Sequence, residues 1–274
     1  MAKDLEEIEF VIFDTETTGL DAAYGDRIVE IAGIRFKGKE RINTFQALVN
    51  PGRPVSSGAF AVNKISQEML SVAPPPEKII PDFMKFIQGA CLCSYNAAFD
   101  MEFLENELKI AKAASPPEEN IVVDVLKMAK RLLPGLERYA LWFVADKLGV
   151  KQEQEHRAFS DVQITLSVFE KLKDILYTKG VFDFLTFSGL FAINAGLLKD
   201  INTKKLGKIQ EAIDLGVKLK IRYLSSSGAE VTEREVLPKE IKQENNRSYL
   251  VGYCCLRKEE RTFRTDGILH LEII

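Results

Sequence analysis

The sequence predicts an α/β protein, a mixed sheet flanked by helices, followed by a small β-rich unit. Three observations predict it. Three strand patterns lie close together near the N-terminus. Helical and short strand patterns then alternate up to residue 177. Beyond that point the strand patterns become short and evenly spaced. The 274 residues, 46% of them hydrophobic, suffice to bury one large core and one small one.

Each element follows from local pattern. Phe10–Phe13 is an apolar run behind charged residues. Arg27–Phe36 is rich in Ile and Val, and Arg41–Val49 completes a third strand before a turn at Asn50–Pro54. Their short spacing predicts an antiparallel meander. Helical periodicity begins at Ile79–Gln88, behind the breaker Pro74–Pro76. Cys91–Ser94 reads as a short buried strand. Ala97–Ala111 places Phe99, Phe103, Leu104 and Leu108 on one helical face. Pro116–Pro117 breaks the chain and Val122–Val123 predicts another strand. Two helices follow, Asp124–Leu133 stopped by Pro134–Gly135 and Tyr139–Leu148 stopped by Gly149; Ser160–Tyr177 is the last of the unit.

Val181–Thr203 reads as an apolar-to-polar connector and Leu206–Leu215 as a short helix. Strand patterns then cover Val217–Tyr223, Val231–Pro238, Tyr249–Cys255, Arg261–Arg264 and Ile268–Ile273, with a turn at Ser225–Gly228 between the first two. The expected division is 1–180, a connector over 181–205, and 206–274.

The formal charge is −3, with the last 75 residues slightly basic and the remainder acidic. The cysteines, Cys91, Cys93, Cys254 and Cys255, form near-adjacent pairs without CxxC spacing. That argues against a zinc site or a disulfide framework and for a reducing cytoplasm. Met1–Glu9 lacks the apolar run of a secretory signal. The apolar stretch Val181–Leu198 contains Asp183, Asn194 and two glycines, so it reads as buried or interfacial rather than membrane-spanning.

Asp14 and Glu16 follow the first strand with i, i+2 spacing, which puts both carboxylates on one face. Like charges held so close call for a cation or a shared proton, and hard oxygen donors suit Mg²⁺ or Mn²⁺. Asp100 lies in the first turn of a predicted helix, where capping would also explain it. His156 and Asp161 bracket the start of the last helix of the unit, with His156 in the preceding loop. Taken singly each residue has an ordinary explanation; together they converge on metal chemistry.

In order, these residues form FDTETTG (Phe13–Gly19), YNAAFDMEFL (Tyr95–Leu104) and HRAFSD (His156–Asp161). The three segments, with VVDVLKMAKRLLP (Val122–Pro134), resemble the DEDDh family of 3′→5′ exonucleases, close to the proofreading subunit of bacterial DNA polymerase III, over roughly residues 8–175. The resemblance implies a ribonuclease-H-like fold and a two-metal mechanism. Asp14 would bridge two ions, Mg²⁺ or Mn²⁺, with Glu16, Asp100 and Asp161 completing the shell. His156 would take a proton from the attacking water, a role that suits an imidazole. Thr15, Thr17, Asn63, Asn96 and Phe99 are the candidate substrate contacts. Tyr95 and Asn63 depart from the family, which often has His at both positions.

The C-terminal segments IRYLSSSGAEVTEREVLP (Ile221–Pro238), YLVGYC (Tyr249–Cys254) and RTFRTDGI (Arg261–Ile268) resemble the WYL domain, with Ser248 in place of the aromatic. That resemblance implies an Sm- or SH3-like barrel that binds nucleic acid or a nucleotide-like ligand. Arg222, Arg234, Arg261 and Arg264, beside Tyr223, Tyr249 and Phe263, are the candidate binding residues. The expected partners are single-stranded DNA 3′ ends, with RNA as the alternative, and a separate DNA polymerase if the role is proofreading. RNA 3′-end trimming is the second enzymatic reading. A non-catalytic nucleic-acid-binding regulator is the reading from another class.

Overall fold

The computed structural model describes residues 3–111, 120–151, 156–225, 230–245 and 247–274. The chain break expected at Pro116–Pro117 and most of the turn expected at Ser225–Gly228 lie outside these residues. β1 (Glu9–Thr17), β2 (Ile28–Lys37) and β3 (Glu40–Leu48) form the expected antiparallel meander. α1 (Ser57–Asn63), α2 (Gln67–Ser71) and α3 (Pro76–Ile87) follow. β4 (Cys91–Ser94), α4 (Ala97–Ile110), β5 (Val122–Asp124), α5 (Val125–Leu132), α6 (Leu141–Lys147) and α7 (Ala158–Thr178) complete the first unit. Its sheet has the order β3-β2-β1-β4-β5, with β4 and β5 parallel to β1.

Strand alternation divides β1 between two cores. Phe10 and Ile12 pack with the α5, α6 and α7 side chains, whereas Val11 and Phe13 pack with α3 and α4. Helices therefore cover both faces, and β2 is buried along most of its length. Gly33 of β2 is required by close packing, since a Cβ there would lie 2.8 Å from the Phe86 ring of α3.

β1 runs further than its apolar segment, through Asp14–Thr17, because β2 pairs with it along that whole length. The apolar-to-polar connector is helical. It forms α8 (Phe184–Phe191) and α9 (Ala195–Leu215), so the expected short helix is the end of a 21-residue one. Phe187 of α8 meets Phe10 and Phe169 at ring distances of 5.9 and 6.1 Å. Between the helices, Ala192 bridges Val123, Ile193 donates its N–H to Val122, and the Asn194 side chain accepts the Val122 N–H. The connector thus covers the open edge of β5.

Ile209 and Ala212 of α9 belong to the second core. That core is closed by β6 (Leu219–Leu224), β7 (Val231–Glu244), β8 (Arg247–Cys254), β9 (Glu259–Arg264) and β10 (Ile268–Ile273). They form one antiparallel sheet of order β10-β6-β7-β8-β9. No helix among the described residues is long and apolar enough to cross a membrane.

Candidate active site

β4 ends at Ser94, beside the middle of β1, so the last residues of β1 project past it. Ligand sites in open α/β sheets form at such strand ends, where chain order reverses across the sheet. Asp14 and Glu16 point to the α7 side of the sheet. Asp161 sits in the first turn of α7, where the helix dipole favours a carboxylate. Asp14, Glu16 and Asp161 each offer an oxygen within 4.8 Å of the others.

Asp100 reaches the same place from the opposite layer, at the start of α4, and is 2% exposed. Its Oδ1 accepts the Thr15 N–H at 2.9 Å and the Thr15 hydroxyl at 2.7 Å, and its Oδ2 accepts the Ser94 hydroxyl. Asp100 therefore stands beside the three-carboxylate group with its oxygens already anchored.

Burial first, then the neighbouring charges of Asp100, Asp161 and Glu16, push the Asp14 carboxyl far above the usual range. Burial, Asp161 and Glu30 raise Glu16 to about 8, opposed by a hydrogen bond from Asn63. Burial raises Asp100 to about 6, opposed by the bonds from Ser94 and Thr15. A cluster this reluctant to ionise lacks positive charge, and its all-oxygen donor set fits a hard divalent cation.

Glu30, which the sequence did not single out, is 1% exposed and lies across the β1–β2 ladder from Glu16. The Arg157 guanidinium grips it with two hydrogen bonds, 2.9 and 2.8 Å, and the Ala158 N–H adds a third at 3.1 Å. This clamp fixes the first residues of α7, and with them Asp161, against the sheet. His156 precedes the clamp, exposed and at φ +49°. Its imidazole is outside the carboxylate group among the described residues.

The candidate substrate contacts divide. Thr15 and Asn63 are turned inward. Thr15 holds Asp100, whereas Asn63, 2% exposed, donates to the Thr17 carbonyl at 3.3 Å and braces Glu16. Thr17 donates its hydroxyl to the Gly19 carbonyl. A Cβ at Gly19 would fall 2.2 Å from the Asp26 carboxylate, which accepts the Thr18 hydroxyl and would have to shift. Asn96 is exposed at φ +73°, held by donation of its N–H to Asp124. Phe99 is half-buried against Phe103, with ring centroids 4.9 Å apart. Tyr95 donates its hydroxyl to the Tyr139 carbonyl.

All four candidate arginines in the second unit have hydrogen-bond partners within the protein. Arg222 donates to the carbonyls of Lys179 and Gly180, Arg234 to Thr232 and Cys254, and Arg264 to both oxygens of Asp266. Arg261 is exposed, with Glu259 beside it. The resemblance to the WYL domain singled out these arginines but not their partners, of which Lys179 and Gly180 lie outside the sheet.

Residues 11–169 match the family model described as exonuclease. The chain belongs to the exonuclease family. Residues 204–273 match the WYL domain model. The chain is 39% identical over 166 residues to DNA polymerase III subunit epsilon of Treponema pallidum, covering 60% of this chain and 76% of that protein. It is 31% identical over 259 residues to the PolC-type DNA polymerase III of Caldanaerobacter subterraneus subsp. tengcongensis, covering 92% of this chain and 18% of that protein. The chain thus spans less than a fifth of that PolC-type relative. Among solved structures, product-bound exonuclease I superposes with a TM-score of 0.56 at 16% identity, over 97% of this chain and 65% of that one. The nuclease domain of a DEDDh family member bound to rAMP gives 0.55 at 17% identity, over 63% and 95%. At these identities the likeness shows the fold, a ribonuclease-H-like sheet flanked by helices.

Proposed function

We propose that this member of the exonuclease family hydrolyses DNA from the 3′ end, releasing nucleoside monophosphates, with Mg²⁺ or Mn²⁺ at the acidic cluster. The carrying observation is the convergence of Asp14, Glu16 and Asp161 within 4.8 Å at the end of β1. These three residues would hold the cations, and Asp100 would complete the set from the other layer. Divalent ions bound there would supply charge neutralisation at the phosphoryl oxygens. His156 accepts the proton of the attacking water as the bond from phosphorus to the 3′ oxygen breaks. Asn96 and Phe99, at the rim, contact the terminal nucleotide.

Epsilon and PolC-type relatives are named as DNA polymerase III proteins. That supports DNA as substrate and a separate DNA polymerase as partner. We place the exonuclease unit at 1–180, the connector at 181–205 and the WYL unit at 206–274, the last binding nucleic acid or a regulatory ligand.

The test uses 5′-labelled single-stranded DNA, duplex DNA and RNA with Mg²⁺ or Mn²⁺. A ladder shortening from the 3′ end, strongest on DNA, is the expected result. A ladder on RNA alone would replace the substrate with RNA. Unshortened label on all three substrates would refute the hydrolytic reading.

A further inference from the structure

A cavity of about 500 Å³ opens between the two units. Lys127 of α5 enters it from the exonuclease side, Lys199 and Lys205 from α9, and Arg247 from the start of β8. Among the described residues, none of these four cations has a carboxylate within ion-pair distance. The one acidic lining residue, Asp266, is engaged elsewhere. Arg264 holds both its oxygens, and Arg131 of α5 lies 3.7 Å from it. Lys127 spends one N–H on the Ala192 carbonyl, and Lys205 donates to the carbonyls of Ile268 and Thr265. Burial lowers the Lys205 ammonium to about 8, against the pull of Asp266, which marks a cation short of negative charge.

The rest of the lining is ordered and amphipathic. Thr265 donates its hydroxyl to the Asn202 side chain, and Asn202 donates to the Ser248 hydroxyl, which makes a fixed polar floor. Ala195, Leu198 and Ile201 form an apolar wall beside it. The volume lies within the usual range for small-molecule sites and exceeds what an inorganic anion fills. Unpaired cations around a polar floor suit a phosphate, and the apolar wall suits the organic body attached to it.

We propose that this interdomain cavity binds a phosphomonoester of mononucleotide size. The cavity stands independently of the nuclease reading; the choice of a nucleoside monophosphate rests on that reading, because such a product is released by the same chain. None of the four cations is among the arginines that the WYL resemblance suggested, and Lys127 comes from the other unit altogether.

The test is calorimetric titration of the full chain in EDTA with 2′-deoxyadenosine 5′-monophosphate, deoxyadenosine or inorganic phosphate. The proteins are the wild type, Asp14→Asn and the double variant Lys199→Glu/Arg247→Glu, whose altered side chains are exposed. Circular dichroism establishes that each is folded. The nucleotide is expected to bind wild type and Asp14→Asn alike, and the double variant at least about tenfold more weakly. Deoxyadenosine and inorganic phosphate are each expected to bind more weakly than the nucleotide. The proposal is overturned by no nucleotide binding to wild type, by equal binding to the double variant, by loss in Asp14→Asn, or by either fragment matching the nucleotide. Cleavage plays no part in this readout, so failure here leaves the hydrolytic reading untouched, and failure of that reading leaves the cavity to be judged on its own.

Discussion

Glu16 holds its carboxyl against burial, Asp161 and Glu30, with Asn63 as the opposing brace. A carboxyl with a folded pKa near 8 and an unfolded one near 4.5 binds its proton more tightly when folded. The metal-free protein is therefore expected to lose stability as pH rises from about 5 to 8, by up to about 5 kcal/mol from this residue. Glu16→Gln should flatten the loss, and Mn²⁺ should remove most of it in wild type. Thermal melts across that range check this; parallel profiles for the two proteins would count against it. The carboxylates were legible because i, i+2 spacing in a strand fixes their direction. The inward turn of Thr15 and Asn63 was not, because it depends on Asp100 and Glu16 meeting them from elsewhere in the chain.

The start of α7 shows how one element positions the site. Arg157 and Glu30 are 127 positions apart, so no local pattern links them. Removing the guanidinium leaves a nearly buried carboxylate beside Glu16. Arg157→Ala is expected to cost about 2–4 kcal/mol, reduced from a fully buried pair because Arg157 is partly exposed. It should also lower kcat through displaced Asp161 and His156. Pairing it with Glu30→Leu should recover much of the stability without the activity. Urea denaturation and steady-state rates separate the two effects; a stable, fully active Arg157→Ala would remove the clamp from the account. β4, α4 and α7 were readable because hydrophobic pattern matched their burial, and the meander because its runs are closely spaced, although β3 is largely exposed. β1 was read short because its last residues are polar and only pairing with β2 keeps them in the sheet.

At the scale of the molecule, the connector is shared structure. Its α8 packs Phe187 against the Phe10–Phe169 pair of one core, and α9 lends Ile209 and Ala212 to the other. Composition marked this stretch as buried or interfacial but did not resolve its two helices, because the residues that order it, Val122 and the aromatic cluster, lie far away in sequence. Phe187→Ala should cost about 3–5 kcal/mol as an unfilled cavity. Chemical denaturation followed through the exonuclease unit reads it; a cost below about 1 kcal/mol would mean that α8 is merely resting on the core. The acidic cluster is the proposed site of nucleic-acid hydrolysis. Its most direct test compares 3′-terminal nucleotide release by wild type, Asp14→Asn and Asp161→Asn, each shown to be folded and to bind the same DNA, at saturating Mn²⁺. Rates lower by on the order of a thousandfold or more are expected in both variants, with binding retained. Release at the wild-type rate by either variant would contradict that proposal.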